Sequence, residues 1–163
     1  MNVRDVIKLS YAIPDQVCRM YLQDLSDSDL LQRPVNGANH IAWQLGHLIA
    51  SERKMVEAVC PGCSPPLPAG FEEKHSKTTA ASDDPKAFYK KDEYLKFYDQ
   101  VRAGTIKALD TVKEADFDKP APESMREYCA TLANVFLMQP EHWMMHAGQW
   151  VILRRKLGRP PLF

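Results

Sequence analysis

Residues 141–157, EHWMMHAGQWVILRRKL, decide the fold. The run ends at Gly158, a residue that stops helices, and its last turn is cationic through Arg154, Arg155 and Lys156, which complements a helix dipole. At about 100° per residue, His142 and His146 share a face with Val135, Gln149, Trp150, Leu153 and Leu157. That face is largely apolar and is predicted to point inward. The two histidines are four residues apart, hence one turn apart on it. Pro140 either kinks one long helix or opens a separate one, and 141–157 stays continuous in both cases.

Strand signals are weak on either side of this helix. A first helical segment is expected from Asn2 to Leu25, with Val3, Val6, Ile7, Ser10, Ile13, Val17 and Tyr21 at helical spacing and a kink at Pro14. After a turn-rich stretch, Asn39 is the expected N-cap of a second helix that runs to Val59. Cys60-Pro-Gly-Cys63 stops it. From there to Asp83 the chain shows no periodicity, a long loop that is either flexible or a cover. Asp84-Pro85 is expected to open a third helix, with Phe88, Leu95, Tyr98, Val101, Thr105, Leu109 and Val112 as its stripe. Four such segments without repeats or linkers predict an all-α, single-domain chain over residues 1–163, arranged as a four-helix bundle.

The chain has 163 residues, enough to bury a core without staples. Lys+Arg and Asp+Glu both number 21, so there is no cationic surplus for phosphate contacts, and no nucleic-acid partner is expected. No stretch approaches the roughly 20 apolar residues that cross a bilayer, and no signal core opens the chain. A cytoplasmic protein is expected, with its four cysteines reduced.

Chemistry points to the histidines. A lone histidine on an apolar face is more often a hydrogen-bonded core residue than a ligand. A helical pair, joined by a third imidazole from another helix, converges on one ion with a coordination position left open. Neutral imidazole suits zinc, nickel, copper or iron, and availability decides among them; zinc is the first expectation here and nickel the next. The second helix carries His40 and His47, about 10 Å apart along the axis, so one at most shares an ion with the pair. His47 lies mid-helix on a stripe with Trp43 and Lys54, at the side or mouth of the bundle. His40, at the helix start, reads as a cap or a solvated group, and His75, in the long loop, as exposed.

The stretch NHIAWQLGHLIASE, with Trp-x-x-Gly-His, resembles the DinB-like (DinB/YfiT) superfamily. So does HWMMHAGQWVILRRKLGRPPLF, with His-x-x-x-His, the following Ala-Gly-Gln and the Gly-x-Pro-Pro ending. Helix order and spacing agree over nearly the whole chain. The resemblance implies an up-up-down-down four-helix bundle, often a homodimer, with a divalent metal bound by His47, His142 and His146. The first expectation for function is a metal-dependent enzyme acting on a small molecule: either a hydrolase, in which the ion lowers the pKa of its bound water, or, as relatives of this bundle imply, a transferase or isomerase that uses a low-molecular-weight thiol. The rival expectation is a non-catalytic metal-binding or stress-related module in which the histidines are structural.

Three further features carry weaker chemistry. Cys60 and Cys63 are a redox dithiol or an incidental helix stop. Glu52 is a general base if buried, or the partner of a cation. Trp143 and Trp150, with Met138, Met144 and Met145, line an apolar cofactor pocket or pack a core or dimer seam.

Overall fold

Pro14 decides how the chain begins. It has no N–H to give to the carbonyl of Ser10, and the helix breaks just there. The computed structural model, which describes residues 1–162, has α1 at Val3–Ser10 and α2 at Ala12–Gln23 with Tyr11 between them. The expected single helix from Asn2 to Leu25 is therefore two. The break turns Tyr11 inward, where its hydroxyl donates to the Phe136 carbonyl at 2.6 Å. Ile7, Pro14, Val17, Cys18 and Leu22 are buried, whereas Val3, Val6, Leu9 and Ile13 face outward. Phe163, the last residue of the DinB-like C-terminal stretch, lies outside the described residues.

The turn-rich stretch contains one helical turn, α3 (Asp27–Leu30), closed by a Ser26–Asp29 capping box. α4 then spans Ile41–Val59. Its cap is His40 rather than the expected Asn39: the His40 Nδ1 accepts from the Trp43 N–H at 3.0 Å. The long loop holds a short helix, α5 (Phe71–Lys74). Asp84-Pro85 opens only a 3-10 turn, Pro85–Ala87, instead of the third long helix. Phe88 and Tyr89 follow in a segment that sets their rings against His40, His75 and Phe71, and α6 begins afterwards at Lys91 and runs to Thr111. α7 is one continuous helix, Leu132–Lys156, with Thr131 as cap and Pro140 inside it. No strand occurs among the described residues beyond one isolated bridge, Pro120 to Thr131.

α4 packs against both α6 and α7, and α2 against α7. Leu45, Leu48, Ile49, Tyr94, Val101, Trp143 and Trp150 fill the space between them. Each such side chain contributes on the order of 1.5–3 kcal/mol by leaving water. Trp143 and Trp150 are thus core residues, whereas Met144 and Met145 are exposed. Gly104 lets the loop after α4 lie on α6: a Cβ there would come within 2.7 Å of the Ser64 Cα.

The cysteines differ from expectation. Cys60 and Cys63 form a disulfide across Pro61-Gly62, where Gly62 takes a φ of +78° and the Cα atoms stand 5.6 Å apart. Glu57 braces the same turn by accepting from the Gly62 and Ser64 N–H groups at 2.9 and 2.7 Å. Cys18 and Cys129 are free and buried. Among the described residues no helix is long and apolar enough to cross a membrane.

Candidate metal centre

His47 comes from the middle of α4, His142 and His146 from successive turns of α7. One ring nitrogen from each lies within 4.8 Å of the other two. The ring centroids are 5.0 Å apart for His142–His146, 5.2 Å for His47–His142 and 5.6 Å for His47–His146. The buried face of α7 keeps Val135, Trp150 and Leu153 of the expected stripe but is centred one residue further round, through Phe136, Gln139, Trp143, Ala147 and Arg154. The histidines therefore flank the core, half-buried, and Gln149 is exposed.

Gln44 orients one of the three. Its Nε2 donates to the Asn39 carbonyl at 2.7 Å and to Gln149 Oε1 at 3.2 Å, and its Oε1 accepts from Trp150 Nε1 at 2.8 Å. The same Oε1 lies 2.9 Å from His146 Nδ1. An indole N–H can only donate, so the acceptor end of the amide is fixed and His146 Nδ1 must carry its proton. Nε2 of His146 is then the nitrogen with a free lone pair.

Trp43 orients another. Its indole stacks on His47, with centroids 5.1 Å apart and planes 6° from parallel, and its Nε1 donates to the Ser76 carbonyl at 3.1 Å. The long loop is thus a cover over this end of α4. His75, expected to be exposed, is 3% exposed. Its Nδ1 lies 2.7 Å from the Phe71 carbonyl and its Nε2 2.7 Å from the Tyr94 hydroxyl. Gly46 makes room for it, since a Cβ on Gly46 would sit 2.0 Å from His75 Cδ2. His40 joins the same cover through Nε2, 3.1 Å from the Ser82 carbonyl. The sequence carried one signal for this packing, an isolated glycine in an otherwise helical run.

Burial pushes the His142 and His146 imidazoles down to about 4, and their imidazole neighbours push the same way. His47 is lowered as well, by burial first and then by Lys77. Near neutral pH the three are uncharged rings with lone pairs available. Imidazole nitrogens on one tetrahedral zinc, each at about 2.0–2.1 Å, stand roughly 3.4 Å apart. The ring nitrogens here lie within 4.8 Å of one another, and a donor set of three neutral imidazoles fits a divalent transition ion.

Glu52 is 1% exposed and belongs to a separate network. It accepts from Thr105 Oγ1 at 2.6 Å, Trp143 Nε1 at 2.8 Å and Arg102 Nη2 at 3.1 Å. Arg102 also meets Asp15 at 3.3 Å and lies over the Tyr11 ring at 4.4 Å. Of the two readings of Glu52, the cation partner is the one observed.

A cleft of about 530 Å³ opens beside His47 and His142, lined by α4, α7 and the segment around Ser124–Tyr128. Among the described residues no Asp or Glu lines it.

These features define the class: an all-helical protein with a candidate three-histidine metal centre on the rim of its core. A family model described as the DinB superfamily matches residues 15–150, and the chain belongs to that superfamily. No curated protein and no solved structure matches it.

Proposed function

We propose that this DinB-superfamily protein binds one divalent ion, zinc first or nickel, through His47, His142 and His146, and works as a metal-dependent enzyme on a small molecule in the adjoining cleft. The observation that carries this reading is the convergence of three ring nitrogens within 4.8 Å, all on neutral imidazoles. A bound ion would supply Lewis acidity, polarising an oxygen or a thiol that enters the open position. The chain's own residues would do the rest. Gln44 holds His146 in the tautomer that leaves Nε2 free, and Trp43 keeps the His47 ring from turning away.

Of the two expected chemistries, thiol-dependent transfer fits the cleft better than hydrolysis. A hydrolase of this kind would rely on the ion alone to activate its water, because no carboxylate lines the cleft among the described residues. We take the helices to form an up-up-down-down bundle in which α1 and α2 together are the first member. A cytoplasmic homodimer belongs to the same proposal, the dimer being supported by the outward apolar row Val6, Leu9 and Ile13.

The lack of a carboxylate also favours a second reading, a non-catalytic metal module. A low-molecular-weight thiol separates the two. Millimolar glutathione should raise the thermal midpoint of the zinc-loaded wild type by a few degrees and leave His142→Ala unmoved. A zinc-loaded wild type that responds to no thiol and turns over no thiol-transfer substrate would leave the non-catalytic module.

A further inference from the structure

The cleft beside the histidines is ordered from one end to the other. α4 supplies its floor through His47, Ser51, Lys54 and Ala58, which recur at helical spacing on one face. Lys54 lies two turns, about 10 Å, along that face from His47. Between the two ends the walls are soft and apolar. Met55, Met125, Met138 and Met145 contribute from three different segments, and Tyr128 closes the side. Four unbranched thioethers around one space make a lining that reshapes to varied apolar ligands. Its volume, about 530 Å³, is that of a small-molecule site.

Beside the hydroxyls of Ser51, Ser124 and Tyr128, one charged side chain enters this lining. Among the described residues Lys54 is the sole Lys, Arg, Asp or Glu lining the cleft, and it forms no ion pair with any of them. A cation on the floor of an apolar trough, two turns from the histidines, has a defined complement: an anionic group on an apolar body. By contrast, Arg154 and Arg159, beside the smaller cavity near the C-terminus, are already paired with Asp24 and Asp29.

We infer that the cleft binds an elongated, mainly apolar organic monoanion. Its apolar body lies along the methionines, its anionic group reaches Lys54, and its opposite end faces the histidines. The inference rests on the metal-centre reading only for what that opposite end meets; the apolar body and the charge are read from the cleft itself.

Calorimetric titration with butanoate, hexanoate, octanoate and 1-octanol tests it, on the protein as purified and after chelation. Each added methylene between butanoate and octanoate should tighten binding about three- to fourfold. Octanoate should bind at least fivefold tighter than 1-octanol, roughly the effect of one semi-exposed ion pair. Lys54→Met should erase that preference while leaving 1-octanol binding unchanged, and Lys54→Arg should retain it. Lys54 is exposed, so neither variant threatens the fold. Ala58→Trp, another exposed position on the floor, should fill the cleft and abolish binding of both probes.

Equal affinity for octanoate and 1-octanol would overturn the inference in favour of a neutral ligand. Octanoate binding indifferent to Lys54→Met and Ala58→Trp would place it elsewhere. A second copy of the chain seated in the cleft, seen as dimerisation that excludes octanoate, would overturn it too. The two readings fail separately: chain-length-dependent octanoate binding in a protein without metal supports the cleft alone, and metal without octanoate binding leaves the metal centre alone.

Discussion

Gln44 Oε1 and His146 Nδ1 stand 2.9 Å apart, and that contact selects which nitrogen of His146 keeps a free lone pair. Metal-binding histidines are commonly held this way, by an acceptor on the nitrogen that does not bind. Here the acceptor is a neutral amide whose orientation is set by Trp150 and Asn39. Gln44→Leu should therefore weaken zinc binding about 10- to 100-fold. Competition against a chromogenic chelator reads this directly, and an unchanged affinity would remove Gln44 from the site.

Gly46 and His75 are predicted to be coupled. Gly46→Ala gains helix propensity, on the order of 1 kcal/mol, but drives a methyl into a buried ring. Overpacking of this kind costs about 1–3 kcal/mol or more. The single variant should be destabilised in urea, and the same change in a His75→Ala background should be neutral or stabilising. Additive effects in the double-mutant cycle would show that the ring does not occupy that space.

The Glu52–Arg102 pair should behave as a buried ion pair does. Glu52→Ala leaves a guanidinium, 7% exposed as a residue, without its main partner, at a cost of about 3–5 kcal/mol. Replacing both, as Glu52→Leu with Arg102→Met, should return much of that loss. Chemical denaturation distinguishes the two, and a double variant as unstable as the single one would mean that the charges themselves are required.

Acid should destabilise the metal-free protein in a defined window. His75, His142 and His146 titrate at about 4 when folded, because burial disfavours their cations, and near 6.5 when unfolded. As pH falls through 6.5 the unfolded chain takes up protons first. Stability is thus complete above about 6.5 and is lost progressively towards 4. The lowered Asp24, Asp29 and Glu57 carboxyls act in the same direction but only at more acid pH. Thermal midpoints of chelated protein at pH 7.5 and 5 should differ by several degrees, less so in His75→Gln. A flat profile between those values would contradict burial of the neutral rings.

Helical periodicity made α4 and α7 legible because their apolar positions recur every three to four residues and one tertiary face dominates each. The same spacing placed His142 over His146 and set His47 mid-helix. The rotation of α7 was misread by one residue, since Trp143 and Ala147 outcompete the histidines for the core and no periodicity ranks a tryptophan against an imidazole. α1 and α2 look like one helix in sequence because the cost of a missing N–H at Pro14 depends on whether Tyr11 finds an inward partner. His75 lay beyond local reading altogether. Its burial rests on Gly46, Phe71 and Tyr94, which meet only after the long loop folds over α4. The cleft was equally hidden, because its walls come from segments some 70 residues apart that share no pattern.

Elemental analysis of the purified, tag-free protein beside His47→Ala, His142→Ala and His146→Ala tests the metal centre most directly. The expected result is about one zinc or nickel ion per chain in the wild type and loss of it in every variant, each still helical by circular dichroism. A wild type that holds neither ion after reconstitution, or folded variants that keep it, would contradict a three-histidine metal centre.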